Sequence, residues 1–224
     1  MAIFNTVYGG EPKWKPWVNT ILYYDFEHTS WTAETDVAGN YNWTYLNTPT
    51  IWTLSSWKKY FNSWGTNYLY TTNTISNITY TSATVCVWIN PQQASNGSWF
   101  WQDWRGHSWA TIFCSTYNSQ TSYYIGWYNW DWSSTSMTAN AWNNVVIVWD
   151  GTTQYTYLNW TLIWTRTLKS DTANKKFYIW AIASWNGTVT NKWDAYFWAV
   201  IIENAVWSAQ KIADYYDQTK ANYS

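Results

Sequence analysis

The sequence predicts an all-β fold, an antiparallel two-sheet jelly-roll sandwich with a short C-terminal helix. Three observations carry that reading. Short runs rich in Thr, Tyr, Val and Ile recur along the chain, as strands prefer. The gaps between them hold Asn, Ser and Asp, the residues of turns. Strands alternating with long helices, the mark of a parallel sheet, do not occur.

In chain order, residues 1–19 carry Gly9, Gly10, Pro12 and Pro16 and read as an N-terminal arm or linker. Residues 20–224 show no internal repeat and no Ser/Gly linker, so they read as one domain. Strands are expected at Thr20–Phe26, Lys58–Asn62, Tyr68–Thr71 and Ala83–Asn90. Further strands are expected at Ala110–Ser115, Ser122–Ile125, Asn144–Val148, Gln154–Leu158, Thr161–Leu168, Lys176–Ile182 and Asp194–Ile202. Asp150-Gly151 reads as the turn between two of these strands. Ser208 is a natural N-cap, and Ala209–Thr219 spaces Ile212, Tyr215 and Tyr216 for one apolar helix face.

Composition bounds the function. A chain of 224 residues suits one large domain, and a 47% hydrophobic share supports a packed core. Only 11% of residues are charged and the net charge is −1, which excludes a polybasic footprint for nucleic acid or anionic membrane. No run of 18 apolar residues occurs, so no membrane insertion is expected. The first residues have neither a charged n-region nor a long apolar h-region, so no signal peptide is expected. Cys86 and Cys114 sit in strand-like runs and read as small buried hydrophobes with no metal spacing around them.

One feature is anomalous. The chain has 24 Trp and only 9 Gly, where an average composition would give roughly 16 Gly. Eleven of the Trp follow Ser, Asn or Asp: Trp31, Trp43, Trp57, Trp64, Trp99, Trp104, Trp109, Trp130, Trp132, Trp160 and Trp185. Turns place Gly after such residues, because the second position often needs φ > 0. Tyr157-Leu-Asn-Trp160-Thr-Leu-Ile reads as a type I′ hairpin with Trp where Gly belongs. Asn129-Trp130-Asp131-Trp132-Ser133 reads the same way. Most of these residues are therefore expected to be glycines encoded by UGA, and only Trp88 and Trp142 read as structural tryptophans.

Five segments carry a family resemblance. They are Leu22-Tyr-Tyr-Asp-Phe26, Asp36-Val-Ala-Gly-Asn-Tyr-Asn-Trp43 and Thr84-Val-Cys-Val-Trp-Ile-Asn-Pro91. The others are Trp142 to Gly151 followed by Tyr157 to Trp160, and Tyr196 to Glu203 with Ser208 to Ile212. With Gly restored at the suspect positions, their order and spacing resemble the laminin-G-like, concanavalin-A-like jelly-roll superfamily over roughly residues 20–218. The resemblance implies two curved antiparallel sheets. It also implies binding of glycans or proteins through rim loops or the concave face, sometimes with Ca²⁺.

The superfamily includes glucanases, and a retaining glycosidase needs two carboxylates about 5 Å apart. The strand signature Glu-x-Asp-x-x-Glu is missing, and Glu27, Glu34 and Glu203 are isolated. The most charge-mixed loop is Gln102-Asp-Trp-Arg-Gly-His-Ser108, where Asp103, Arg105 and His107 could hydrogen-bond a sugar or peptide. Tyr128, Asn129 and Asp131, with Tyr117, Tyr123 and Tyr124, offer rings and polar groups near an expected rim loop. Asp36 and Asn40 offer oxygens of the kind Ca²⁺ takes. Trp88, Trp142, Asp150 and Gly151 read as structural. The expectation is a non-enzymatic module binding a glycan or cell-surface protein. The alternatives are a virion adhesion protein docked through its N-terminal arm, extracellular without a signal peptide, and a glycoside hydrolase.

Overall fold

The computed structural model describes residues 19–25, 33–34, 36, 38, 43–46, 50–53, 59–62, 68–71, 82–91, 97–98, 100–102, 113–116, 123–126, 132–134, 137–138, 140–167, 177–179, 182–183, 189–190 and 195–223. The expected arm, residues 1–19, lies almost wholly outside them. The first strands are β1 (Thr20–Tyr24), β2 (Ala33–Glu34), β3 (Trp43–Leu46), β4 (Thr50–Thr53), β5 (Lys59–Asn62) and β6 (Tyr68–Thr71). There follow β7 (Ala83–Pro91), β8 (Gly97–Ser98), β9 (Phe100–Gln102), β10 (Phe113–Thr116), β11 (Tyr123–Gly126), β12 (Trp132–Ser134) and β13 (Asn143–Trp149). The last are β14 (Thr153–Leu158), β15 (Thr161–Thr167), β16 (Phe177–Ile179), β17 (Ile182–Ala183), β18 (Val189–Thr190) and β19 (Ala195–Glu203), before helix α1 (Ala209–Thr219).

The fold is an antiparallel jelly-roll sandwich. Its largest sheet runs β15-β14-β13-β7-β19-β5-β4, with β1 also on β19. Strand β19 is the hinge of this arrangement. One edge pairs with β7; the other pairs with β5 at Tyr196 and Phe197 and with β1 from Val200 to Glu203. Smaller sheets run β2-β3-β6-β16-β9, β12-β11-β10-β8 and β17-β18.

Strands β7 and β13 are buried almost throughout, and so is β19 from Phe197 on. Successive side chains point to opposite faces, so both faces must be covered. One face carries Cys86, Trp88, Val146, Val148 and Ile201, which pack with Trp207, Ile212 and Tyr215 of the helical segment. The other carries Val85, Val87, Val145, Ile147, Val200 and Ile202, each 6% exposed or less. Each such side chain contributes roughly 1.5–3 kcal/mol on burial.

The C-terminal helix follows its sequence signals closely. Ser208 is extended (φ −71°, ψ 156°), and its hydroxyl accepts the Lys211 N–H. Ile212, Tyr215 and Thr219 face inward. A buried carboxylate ties the helix to the sheet. Glu203 accepts hydrogen bonds from Thr20 on β1, from the Trp207 indole and from Lys211 Nζ at 2.9 Å. Lys211 also lies 4.5 Å over the Trp207 ring. Beside it, the Thr84 hydroxyl donates to the Ala205 carbonyl and accepts from the Trp207 N–H.

Two tight turns order the β13–β14–β15 meander. At the first, Asp150 Oδ1 accepts the Thr152 and Thr153 N–H groups at 2.9 and 2.7 Å, and Tyr155 OH donates to Oδ2 at 3.0 Å. Gly151 takes φ 96°, which excludes a β-carbon without strain. At the second, Asn159 (φ 47°) and Trp160 (φ 66°) form the two-residue turn. Asn159 Oδ1 accepts the Asn144 N–H, and its own N–H donates to the Asn144 carbonyl.

The structure departs from the sequence reading in three ways. Short strands β2, β3, β4, β8, β9, β12 and β18 were not expected; they are two to four residues long, below the length at which periodicity is readable. Trp43 and Trp132 open strands β3 and β12, paired with Glu34 and Gly126, instead of lying in turns. Trp149, Trp198 and Trp207 are buried core residues at 1%, 5% and 2% exposure. The restriction of structural tryptophans to Trp88 and Trp142 is therefore corrected. These three sit in strands or at the helix entrance, where a large ring fills space that glycine would leave as a cavity.

Replacing Glu203 with Ala should lower stability by about 3 kcal/mol in urea denaturation, because Lys211 and the Trp207 N–H lose their buried partner. The turn contacts hold the Asp150 carboxyl at about 2, below the ordinary 3.8, chiefly through the Thr152 and Thr153 amides. A depressed folded-state pKa adds stability above the unfolded value. That contribution should disappear as pH falls from about 4 to about 2, and Asp150→Asn should flatten this part of the stability–pH curve.

Candidate functional site

The sheet's helix-covered face ends in a row of rings and an amide. Trp88 and Asn90 alternate to the same face of β7. Asn90 pairs directly with Tyr196 on β19, and Trp88 with Trp198. On the other side, Asn143 pairs with Ile89, so Trp142, one residue earlier, comes level with Asn90. The chain is fixed there because the Asn140 N–H donates to the Pro91 carbonyl at 2.7 Å. Asn143 clamps the approach, with its amide donating to the Thr138 and Ala141 carbonyls. Trp142, just before β13, thus lies in line with Asn90 on β7 and Tyr196 on β19; all three are half-buried, and the two rings pack against the core.

The end of the helix supplies the next ring. Tyr216 stacks on Trp88 with centroids 5.6 Å apart and planes 15° from parallel. The Trp88 indole N–H donates to Thr219 Oγ1 at 3.1 Å, and that hydroxyl donates to the Tyr215 carbonyl. Trp88 is therefore fixed in both position and orientation. Lys220 Nζ lies 5.6 Å over the Tyr216 ring and pairs with Asp217 at 2.6 Å. Hydrogen bonding to Asp217 pushes the Lys220 ammonium pKa up. The surface so built offers half-buried ring faces, a carboxamide and an exposed charge pair. It can pack against apolar C–H groups and hydrogen-bond hydroxyls at the same time.

Beneath it the polar groups are internal. Asn144 donates to Cys86 Sγ and to the Val87 carbonyl, both at 3.3 Å. Cys86 is a buried thiol, not half of a disulfide. Burial pushes its pKa up to about 12, so it is a poor nucleophile.

Most of the sequence-derived candidates are not among the described residues. Asp103, Arg105, His107, Tyr128, Asn129, Asp131, Tyr117 and Asn40 lie outside the described residues. Tyr123 and Tyr124 lie on β11, described by backbone alone, as is Cys114 on β10. Asp36 is buried, and its Oδ1 accepts the Tyr23 and Ala38 N–H groups at 2.8 and 3.0 Å. Among the described residues no three of His, Cys, Asp and Glu gather around a common point. Asp150 and Gly151 hold a turn, and Glu203 holds the helix. Asn90 and Tyr196 were not read as binding residues from sequence, and Tyr216 was read only as part of the apolar helix face. The signal available was register: Trp88 and Asn90 are i, i+2, and strand pairing brings Tyr196 beside them.

No family model matches the chain, and no curated protein matches it. Solved structures do. Domain 4 of an extracellular arabinanase from Geobacillus stearothermophilus, in complex with arabinotriose, superposes with a TM-score of 0.67 at 13% identity. The match covers 88% of this chain and 97% of that domain. A Trypanosoma rangeli sialidase mutant displaying trans-sialidase activity gives 0.70 at 11% identity, over 93% of this chain and 34% of the sialidase. A botulinum neurotoxin binding domain in complex with SialylT gives 0.64 at 14% identity, over 89% of this chain and 51% of that one. The chain spans about a third of the sialidase and about half of the toxin domain. At these identities the likeness is one of fold.

Removing the Thr219 hydroxyl should loosen the Trp88 platform. Thr219→Val is expected to cost about 1 kcal/mol and to shift the Trp88 indole N–H resonance in NMR, while Thr219→Ser keeps both near the parent.

Proposed function

We propose that this chain is a non-enzymatic carbohydrate-binding module of laminin-G-like type. The observation that carries the reading is the row Trp142–Asn90–Tyr196, two half-buried rings flanking a carboxamide at the ends of the central strands. Its chemistry suits a sugar: ring faces take the C–H side, and the amide takes the hydroxyls. The company of the fold supports it, since one neighbour was solved with arabinotriose and another with SialylT. Glu203 is engaged inside the core and Asp150 inside a turn. The loops bearing Asp103, Arg105 and His107 and bearing Tyr128, Asn129 and Asp131 are the second candidate contact. We also read most of the turn tryptophans as UGA-encoded glycines, so they are not part of the sugar platform.

A glycan array that includes arabinan fragments and sialylated oligosaccharides tests the proposal. Purified protein should bind at least one glycan class without hydrolysing it. Asn90→Ala and Tyr196→Ala should each weaken that binding about tenfold, or about 1.4 kcal/mol, measured at a temperature where melting curves show each variant folded. Loss confined to an Asp103/Arg105/His107 triple substitution would move the site to that loop. Cleavage of the bound glycan, or no glycan binding at all, would overturn the reading.

A further inference from the structure

We infer that residue 160 is glycine in the protein as its own cell makes it, and that its codon is UGA read as glycine. The inference is independent of the glycan reading. It starts from backbone geometry. Leu158 and Thr161 pair across a two-residue turn, whose residues Asn159 and Trp160 have φ 47° and 66°. Both central residues of a type I′ turn need positive φ, and the favoured pair is Asn-Gly. Asn159 meets that demand, and its side chain is used, accepting the Asn144 N–H at 2.8 Å. Trp160 does not. In the left-handed region its β-carbon crowds the following carbonyl oxygen. Among the described residues it is the one tryptophan with positive φ.

Burial of the indole does not offset that strain. Trp160 is 54% exposed, the most exposed large hydrophobic side chain among the described residues. The contrast with Trp207 is direct: that ring is buried, donates to Glu203 and carries Lys211 on its face. Tryptophan is thus placed with purpose at 207 and against the backbone at 160. The composition points the same way. Eleven tryptophans follow Ser, Asn or Asp while glycine is scarce. One decoding rule explains both facts, because UGA and the tryptophan codon UGG differ only in the third base.

The test combines sequencing, mass and stability. The coding DNA should carry UGA at position 160, and the peptide spanning it, isolated from the source, should have the mass of a glycine peptide. In recombinant full-length protein, Trp160→Gly should melt about 2–4 °C above Trp160→Ala, since both lose the exposed indole but only glycine loses the β-carbon. A UGG codon, a tryptophan mass in the native peptide, or equal melting of the Gly and Ala variants would overturn the inference.

Discussion

The carboxylate of Glu203 is the contact on which the architecture closes. It stands at the end of the last strand and receives Thr20 from the first strand, the Trp207 indole and the Lys211 ammonium. A buried charge is costly unless it is paired and hydrogen-bonded. Strand β1 and the start of the helix therefore meet at this carboxylate. With β1 and α1 fixed there, the helix lies over the sheet and covers Cys86, Val146 and Ile201. The sheet can then be apolar on both sides, and β7 and β13 become near-continuous buried strands.

The same closure decides where a surface is left. The helix is 11 residues long and stops at Thr219, whose hydroxyl holds the Trp88 indole. Beyond that point the ends of the strands, with Trp142 just before β13, present Asn90, Trp142 and Tyr196, side chains with both apolar and polar parts, only half-buried. A core residue, Trp88, stacks under Tyr216 and passes the rigidity of the sheet to the surface. Preorganised rings lose little side-chain entropy on binding. The charge pair Asp217–Lys220 borders this region, so the surface is not uniformly apolar.

Much of the fold was legible in the sequence, because it rests on local chemistry. Ser208 and the spacing of Ile212 and Tyr215 mark the helix with its observed bounds. Asp150-Gly151 and Asn159 mark turns that strand pairing confirms. Strands β2, β8 and β18 are two residues long and owe their existence to neighbours, so no local pattern announces them. The roles of Glu203, Asn90 and Tyr196 were hidden for the same reason. Each depends on contacts between segments far apart in sequence, such as Thr20 with Glu203. Trp149 and Trp207 were misjudged from composition, since an excess of one residue type does not show which copies are buried.

We propose that the ring–amide row takes a sugar. The most direct measurement is a two-dimensional NMR titration with an oligosaccharide the protein binds, following side-chain amide and indole N–H signals. The account predicts that the Asn90 amide and the Trp142 indole signals shift with saturating dependence on ligand, while the Glu203-bound Trp207 indole does not. Saturating shifts confined to other residues, with Asn90 and Trp142 unchanged, would contradict it.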